Sequence, residues 1–301
     1  MKIKRAKLRR LRETLARRGM LVLTAVPGLL VFLMLFGLIQ RSRSILALKS
    51  FSSLLLGSGW HPLKGEFGLL PFLAGTLWVT LAAVILAVPV SLLTAIYLSE
   101  YAPRVVREFL KPIVDLLAGI PSVVFGVWGV LMVVPFVARV VAPALGAYSS
   151  GYCVLSGGIV LAIMIFPTII HVSLEVFSSV RHELRETSLS LGATKWETVK
   201  HVVLRKGLPG IIAAVVLGLS RAFGETMAVL MVVGNVARIP RSLFDAAYPL
   251  PALIANNYGE MMSVPLYDSA LMLAALVLLL VVLVFNLGAR AVLAKAERKA
   301  E

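Results

Sequence analysis

Cysteine occurs once in this chain, at Cys153, so no internal disulfide can form and cysteine usage gives no redox compartment. Histidine is almost as scarce. His61, His171, His182 and His201 show neither H-x-x-x-H nor H-E-x-x-H spacing, which argues against a metal site and leaves them as surface or interfacial side chains. No G-x-x-x-x-G-K-[ST] loop occurs, so nucleotide is not held by that route. Charge is sparse throughout: 15% of residues are charged, against 59% hydrophobic. With a mean hydropathy of +0.93, there is too little polar surface for a soluble protein of this size.

What remains is membrane-length apolar sequence. Six segments are long enough to cross a hydrocarbon core of about 30 Å at roughly 20 residues each. They run over 20–39, 72–99, 113–136, 153–175, 209–234 and 268–289, and together make one all-helical transmembrane domain over 1–301. Pro89, Pro121, Pro135 and Pro167 fall inside them, as kinks tolerated within a bundle. The first segment follows a basic run without a small-residue cleavage site. It reads as a retained span, with a signal peptide as the lesser alternative.

The net charge of +15 follows topology rather than a nucleic-acid face. Nine Lys and Arg precede the first span, three lie over 100–112, six over 176–208 and four in the C-terminal tail. The alternate loops, 40–71, 137–152 and 235–267, hold four, one and two. The excess puts both termini in the cytoplasm. Trp60, in the long external loop, is expected to be an interface anchor. Lys111 and Asp115, four apart, read as a surface pair.

The cytoplasmic segment 176–208 has helical composition up to Leu191, then Gly192, which suits a left-handed helix end. Thr194 and Glu197 have capping-box spacing for a second short helix, with Trp196, Val199 and Val203 on one side. A helix–glycine–helix with an apolar edge fits a docking surface for a soluble partner, or equally a helix lying on lipid. The segment resembles the "EAA" loop of ABC importer permeases. Glu186 opens it, Thr187 and Ser188 replace the two alanines, and Gly192 takes the glycine position. Val202 and Leu204 follow at their places, and Arg205 departs from the usual proline. The resemblance implies contact with an ATPase subunit through Glu186, Gly192, Ala193, Thr194, Trp196 and Glu197.

The stretches "AGIPSVVFG" and "GETMAVLMVVGN", with the sequence from residue 60 onward, are similar to the phosphate ABC transporter permeases, nearer the PstC type than the PstA type. The resemblance implies a type I importer permease fold in the cytoplasmic (inner) membrane of a prokaryote. It also implies a second, PstA-like permease, a PstB-like ATPase dimer that binds the ATP, and an extracytoplasmic phosphate-binding protein. The chain itself would need no cofactor and catalyse no covalent chemistry. Rival readings are a permease for another oxyanion such as sulfate or molybdate, a stand-alone secondary transporter, and a membrane scaffold.

Arg221 and Glu225 are the charges inside the otherwise uncharged run 209–235. Unpaired, they would cost roughly 5–7 kcal/mol together, at ~2.5–3.5 kcal/mol each. Spacing of four would pair them on one helical face, with Ala214, Gly218 and Ala228 on the same small-residue stripe and Val216, Leu219, Phe223, Met227 and Leu230 opposite. That face is either a tight helix contact or the lining of a path. The resemblance implicates Arg221 and Glu225 in phosphate passage, and Ser220, Thr226 and Asn235 are candidate secondary contacts. Gly119, Pro121, Gly126 and Gly129 favour close packing of the third span over lining.

Overall fold

A computed structural model describes the backbone over residues 2–260 and 263–300 and side chains over 13–260 and 263–295. The basic residues over 2–12 and beyond 295, which contribute to the charge asymmetry, lie outside the described side chains. Helix α1 (Lys2–Leu48) and the short α2 (Phe51–Leu56) lead to a two-stranded ribbon, β1 (Trp60–His61) antiparallel to β2 (Glu66–Phe67). Then come α3 (Leu70–Tyr101), α4 (Arg104–Gly119), α5 (Ser122–Ala144) and α6 (Val154–Ser179). The chain continues through α7 (His182–Ser190), α8 (Lys195–Gly224), α9 (Met227–Val232), α10 (Leu250–Asn257) and α11 (Tyr267–Ala300). Among the described residues six helices are long and apolar enough to cross a membrane, as the sequence predicts.

The third and fifth spans differ from the predicted ranges. The apolar run at 113–136 is divided at Ile120, which is extended (ψ 129°) because the following Pro121 excludes helical geometry there. Residues 104–119 form a separate amphipathic helix, and the crossing helix begins at Ser122. The fifth crossing helix begins earlier than predicted, at Lys195, with Pro209 inside it, and it ends at Gly224 rather than 234.

The core is a stack of apolar clusters. At one end Ile45, Phe67, Phe72, Leu250 and Leu271 gather α1, β2, α3, α10 and α11. Trp60, half-buried, packs against this cluster and meets Phe67 and Phe72 edge-on at 5.6 and 5.0 Å. In the middle α3, α6 and α8 pack through Val79, Ala83, Ile165, Ile169 and Ala214. At the far end Leu98, Leu174, Phe177, Val199 and Val203 join α3, α6 and α8. Asp115 does not pair with Lys111: its Oδ1 accepts from His171 Nε2 at 2.8 Å, so the contact ties α4 to α6.

Small residues set the helix spacings. Gly126 faces Ala228 and Met231, and Gly129 faces Val160 and Val232, so these two glycines serve packing. On α6, a Cβ at Gly158 would lie 2.7 Å from the Ala82 Cβ of α3. Gly158→Leu should therefore force α3 and α6 apart and destabilise the fold by about 1–3 kcal/mol. Thermal unfolding of the detergent-solubilised protein checks this, with Gly28→Leu, which has open space around it, as control.

Candidate functional site

The run containing Arg221 and Glu225 is not one helix. At Glu225 the backbone turns extended (φ −71°, ψ 127°), and α9 begins two residues later. Glu225 N–H is held by Ala222 O, while Glu225 Oε1 accepts from Ala228 N–H at 3.2 Å. The carboxylate thus satisfies an otherwise orphan donor at the start of α9. Arg221 Nη1 donates to Thr168 Oγ1 on α6 at 3.0 Å, and no ion pair joins it to Glu225. The expected pairing fails because spacing of four places side chains together only on an unbroken helix.

Arg221 is exposed, and the bond to Thr168 is its guanidinium's one hydrogen bond among the described residues. Most of its five donors therefore lack a protein acceptor. Beneath it the small-residue stripe is a packing surface: Ala214 is fully buried and Gly218 lies against Ile169. The opposite stripe is not uniformly outward, since Phe223 is buried and stacks on Phe285 of α11 at 5.2 Å.

The other candidates divide. Ser220 turns away from Arg221's contact on α6: its Oγ reaches Val216 O and Asn286 Oδ1, the latter at 2.7 Å on α11. Thr226 stays at the break, with Oγ1 donating to Gly224 O. Asn235 closes α9, donating from Nδ2 to Leu230 O at 2.8 Å in a left-handed conformation (φ 53°). Sequence reading missed Thr168 and Asn286. Their only sequence signal is a polar side chain within an apolar span.

At the far end, Gly192 has φ +88°, which L side chains adopt only with strain, and the capping box forms as predicted. Thr194 N–H donates to Glu197 Oε2 at 2.8 Å, and Glu197 N–H to Thr194 Oγ1. Ala193 N–H donates to Ser188 O, and the Ser188 and Thr198 hydroxyls meet at 2.9 Å, fastening α7 to α8. Glu186 pairs with His182 at 3.1 Å. Val199 and Val203 are buried, so they do not share an exposed side with Trp196. Leu189, Leu191 and Trp196 remain open to solvent.

A second contact was not foreseen. Arg185 of α7 grips Glu100 at the end of α3, with Nη2 to Oε1 at 2.8 Å and Nε to Oε2 at 3.2 Å. It also donates to the carbonyls of Phe177 and Val180. Both side chains are largely buried, at 16% and 10% exposure. The glycine turn is thereby anchored to α3 and α6 as well as to α8.

Six membrane-length helices, an arginine just before a helix break and an anchored helix–glycine–helix turn at one end are the features of a multi-pass membrane protein. The family described as the inner membrane component of binding-protein-dependent transport systems matches residues 87–299, and this chain belongs to it. It is 38% identical over 254 residues to the phosphate transport system permease protein PstC of Xylella fastidiosa, covering 80% of this chain and 78% of that one. It is 34% identical over 292 residues to PstC of Haemophilus influenzae, covering 91% and 92%. To the probable ABC transporter permease protein YqgH of Bacillus subtilis it is 38% identical over 238 residues, covering 77% and 75%. Among solved structures, a bacterial ABC transporter that imports the polysaccharide alginate superposes with TM-score 0.57 at 18% identity, over 95% of this chain and 99% of that one. The inward-facing MetNI methionine ABC transporter gives 0.56 at 17% identity, over 74% and 93%. These two show the fold alone.

Arg185→Gln should leave the Glu100 charge without its partner and destabilise the bundle by roughly 3–5 kcal/mol. The double variant Arg185→Gln/Glu100→Gln should recover most of that loss. Chemical denaturation of the four members of the cycle measures both effects.

Proposed function

We propose that this chain is the membrane permease subunit of an ATP-driven phosphate importer and supplies half of the translocation path. The observation that carries the proposal is Arg221, an exposed guanidinium at a helix break inside an apolar span with a single in-chain acceptor. A guanidinium presents a rigid fork of donors that matches a tetrahedral oxyanion. The PstC relatives' names supply the particular anion. Thr168 orients the fork, and a passing phosphate takes the unused donors. Thr226 stands beside it at the break. Glu225 holds the break open by capping α9 rather than balancing Arg221.

In this reading the second membrane subunit completes the path, and an external phosphate-binding protein delivers the anion. An ATPase dimer binds and hydrolyses ATP, while this chain carries neither cofactor nor catalytic residue. Both termini face the cytoplasm. The ATPase docks on the turn formed by Glu186, Gly192, Ala193, Thr194, Trp196 and Glu197, with Leu189 and Leu191 adding exposed apolar area. Because α8 is continuous from Lys195 to Gly224, through a π-helical turn at Val199–Val203 and Pro209, a push at the turn reaches Arg221 about 40 Å away along one helix.

The decisive experiment is Arg221→Gln in the assembled transporter, with uptake and ATP hydrolysis measured together. Phosphate uptake should fall at least about tenfold, the loss of one charge-assisted contact, while hydrolysis persists. Normal uptake would refute the assignment. Competition by sulfate or molybdate would instead redirect it to another oxyanion. A second expectation separates capping from charge balance: Glu225→Gln keeps an acceptor for Ala228 N–H and should retain most uptake, whereas Glu225→Ala should lose it. If both lose uptake equally, the charge of Glu225 matters and the capping role is wrong.

A further inference from the structure

A second group of cations sits at the other end of α6. There a cavity of about 890 Å³ is lined by Ser58, Val236, Arg238, Ile239, Arg241 and Asp245, among others. Helix α6 separates it from the α7 turn by 26 residues, about 39 Å. It therefore opens on the face opposite the proposed ATPase.

The cavity wall is built rather than loose. Gly234 (φ +91°) and Asn235 turn the chain out of α9, and Gly234 pairs with Ala247 in a parallel bridge. The intervening segment is clamped to the start of α6, where Val154 N–H donates to Asp245 O at 2.9 Å and Leu155 N–H to Leu243 O at 2.8 Å. Ser149 Oγ holds Phe244 O from a third side at 3.0 Å.

Onto this clamp the sequence places Arg238 and Arg241, the two basic residues of 235–267. Both are exposed, and among the described residues neither guanidinium has a hydrogen bond or ion pair. The neighbouring carboxylate is engaged elsewhere, since Asp245 Oδ2 accepts from the Arg241 and Ser242 backbone N–H groups at 2.8 and 3.0 Å. Two like charges three residues apart, neither ion-paired among the described residues, raise the local potential for an anion, and the single Asp245 carboxylate in the same lining offsets only one of them. Along the chain, the cavity segment beginning at Val236 follows the break at Glu225 through the six-residue α9 and the turn at 233–235.

We propose that the cavity is an outer reception site for a tetrahedral oxyanion, in which Arg238 and Arg241 take the anion before it moves past α9 to Arg221. The proposal rests on the phosphate-import reading above and adds a second binding step on the opposite face from the coupling turn.

The test is the double variant Arg238→Gln/Arg241→Gln in the complete transporter, reconstituted in vesicles with its ATPase, second membrane subunit and phosphate-loaded binding protein. Neither guanidinium has a hydrogen bond or ion pair to lose among the described residues, so folding and basal ATP hydrolysis should be unchanged. At saturating loaded binding protein, maximal phosphate uptake should fall about tenfold, with the half-saturating concentration unmoved. Arg238→Lys/Arg241→Lys should restore part of it. A raised half-saturating concentration with undiminished maximal uptake would make the arginines a contact for the binding protein and overturn the proposal. No change in either quantity would overturn it as well. If the unsubstituted complex carries another oxyanion, the phosphate reading fails, and the same comparison with that anion still decides the role of the two arginines.

Discussion

In hydrocarbon every backbone N–H and C=O must find its partner within the protein, because no water is available to replace it. That constraint makes the break at Glu225 and Thr226 the feature on which the rest depends. Ending α8 at Gly224 frees carbonyls on one side and amides on the other. The chain meets this locally: Glu225 N–H returns to Ala222 O, Thr226 Oγ1 reaches Gly224 O, and Glu225 Oε1 takes Ala228 N–H. Thr226 O then accepts from Leu230 N–H, so α9 starts with its first carbonyl used. A helix of six residues has little stability of its own. It is held by burying Ala228, Val229 and Val232 and by Asn235 closing its end. The polar site and the packing around it are therefore one construction.

The two ends of the bundle are fixed by different chemistry. On the turn side, the Arg185–Glu100 fork is largely buried and adds two backbone carbonyls as acceptors. Bidentate geometry with every charge engaged is the circumstance in which a buried ion pair offsets its desolvation. On the opposite side, the carbonyls of Leu243 and Asp245 cap the start of α6 with no charge involved. A charged fork resists separation but depends strongly on geometry.

Legibility in the sequence followed the range of each interaction. The Thr194–Glu197 box and the left-handed Gly192 were readable because they close within a few residues. The six spans were readable because hydropathy is additive along the chain, but their ends shifted where Pro121 divided one run and Glu225 ended another. Arg221 stood out because a charge within an apolar span is costly. Its partner was misassigned for a related reason: a helix was assumed where the chain breaks. Thr168, Asn286 and the Glu100–Arg185 fork join residues 53, 66 and 85 positions apart, and no local pattern encodes them. The Asp115–His171 contact between α4 and α6 was hidden in the same way.

The placement of Arg221 also bears on what must surround it. Its small-residue side packs against α6, Phe223 against Phe285, and Ser220 against Asn286. With those neighbours seated, the guanidinium keeps one bond among the described residues, to Thr168 on α6, and stays exposed. At membrane depth an exposed guanidinium facing lipid would bear the full cost of a central charge, so it must face water or another protein. On the phosphate-import reading proposed above, a wet seam against a second membrane subunit meets that demand.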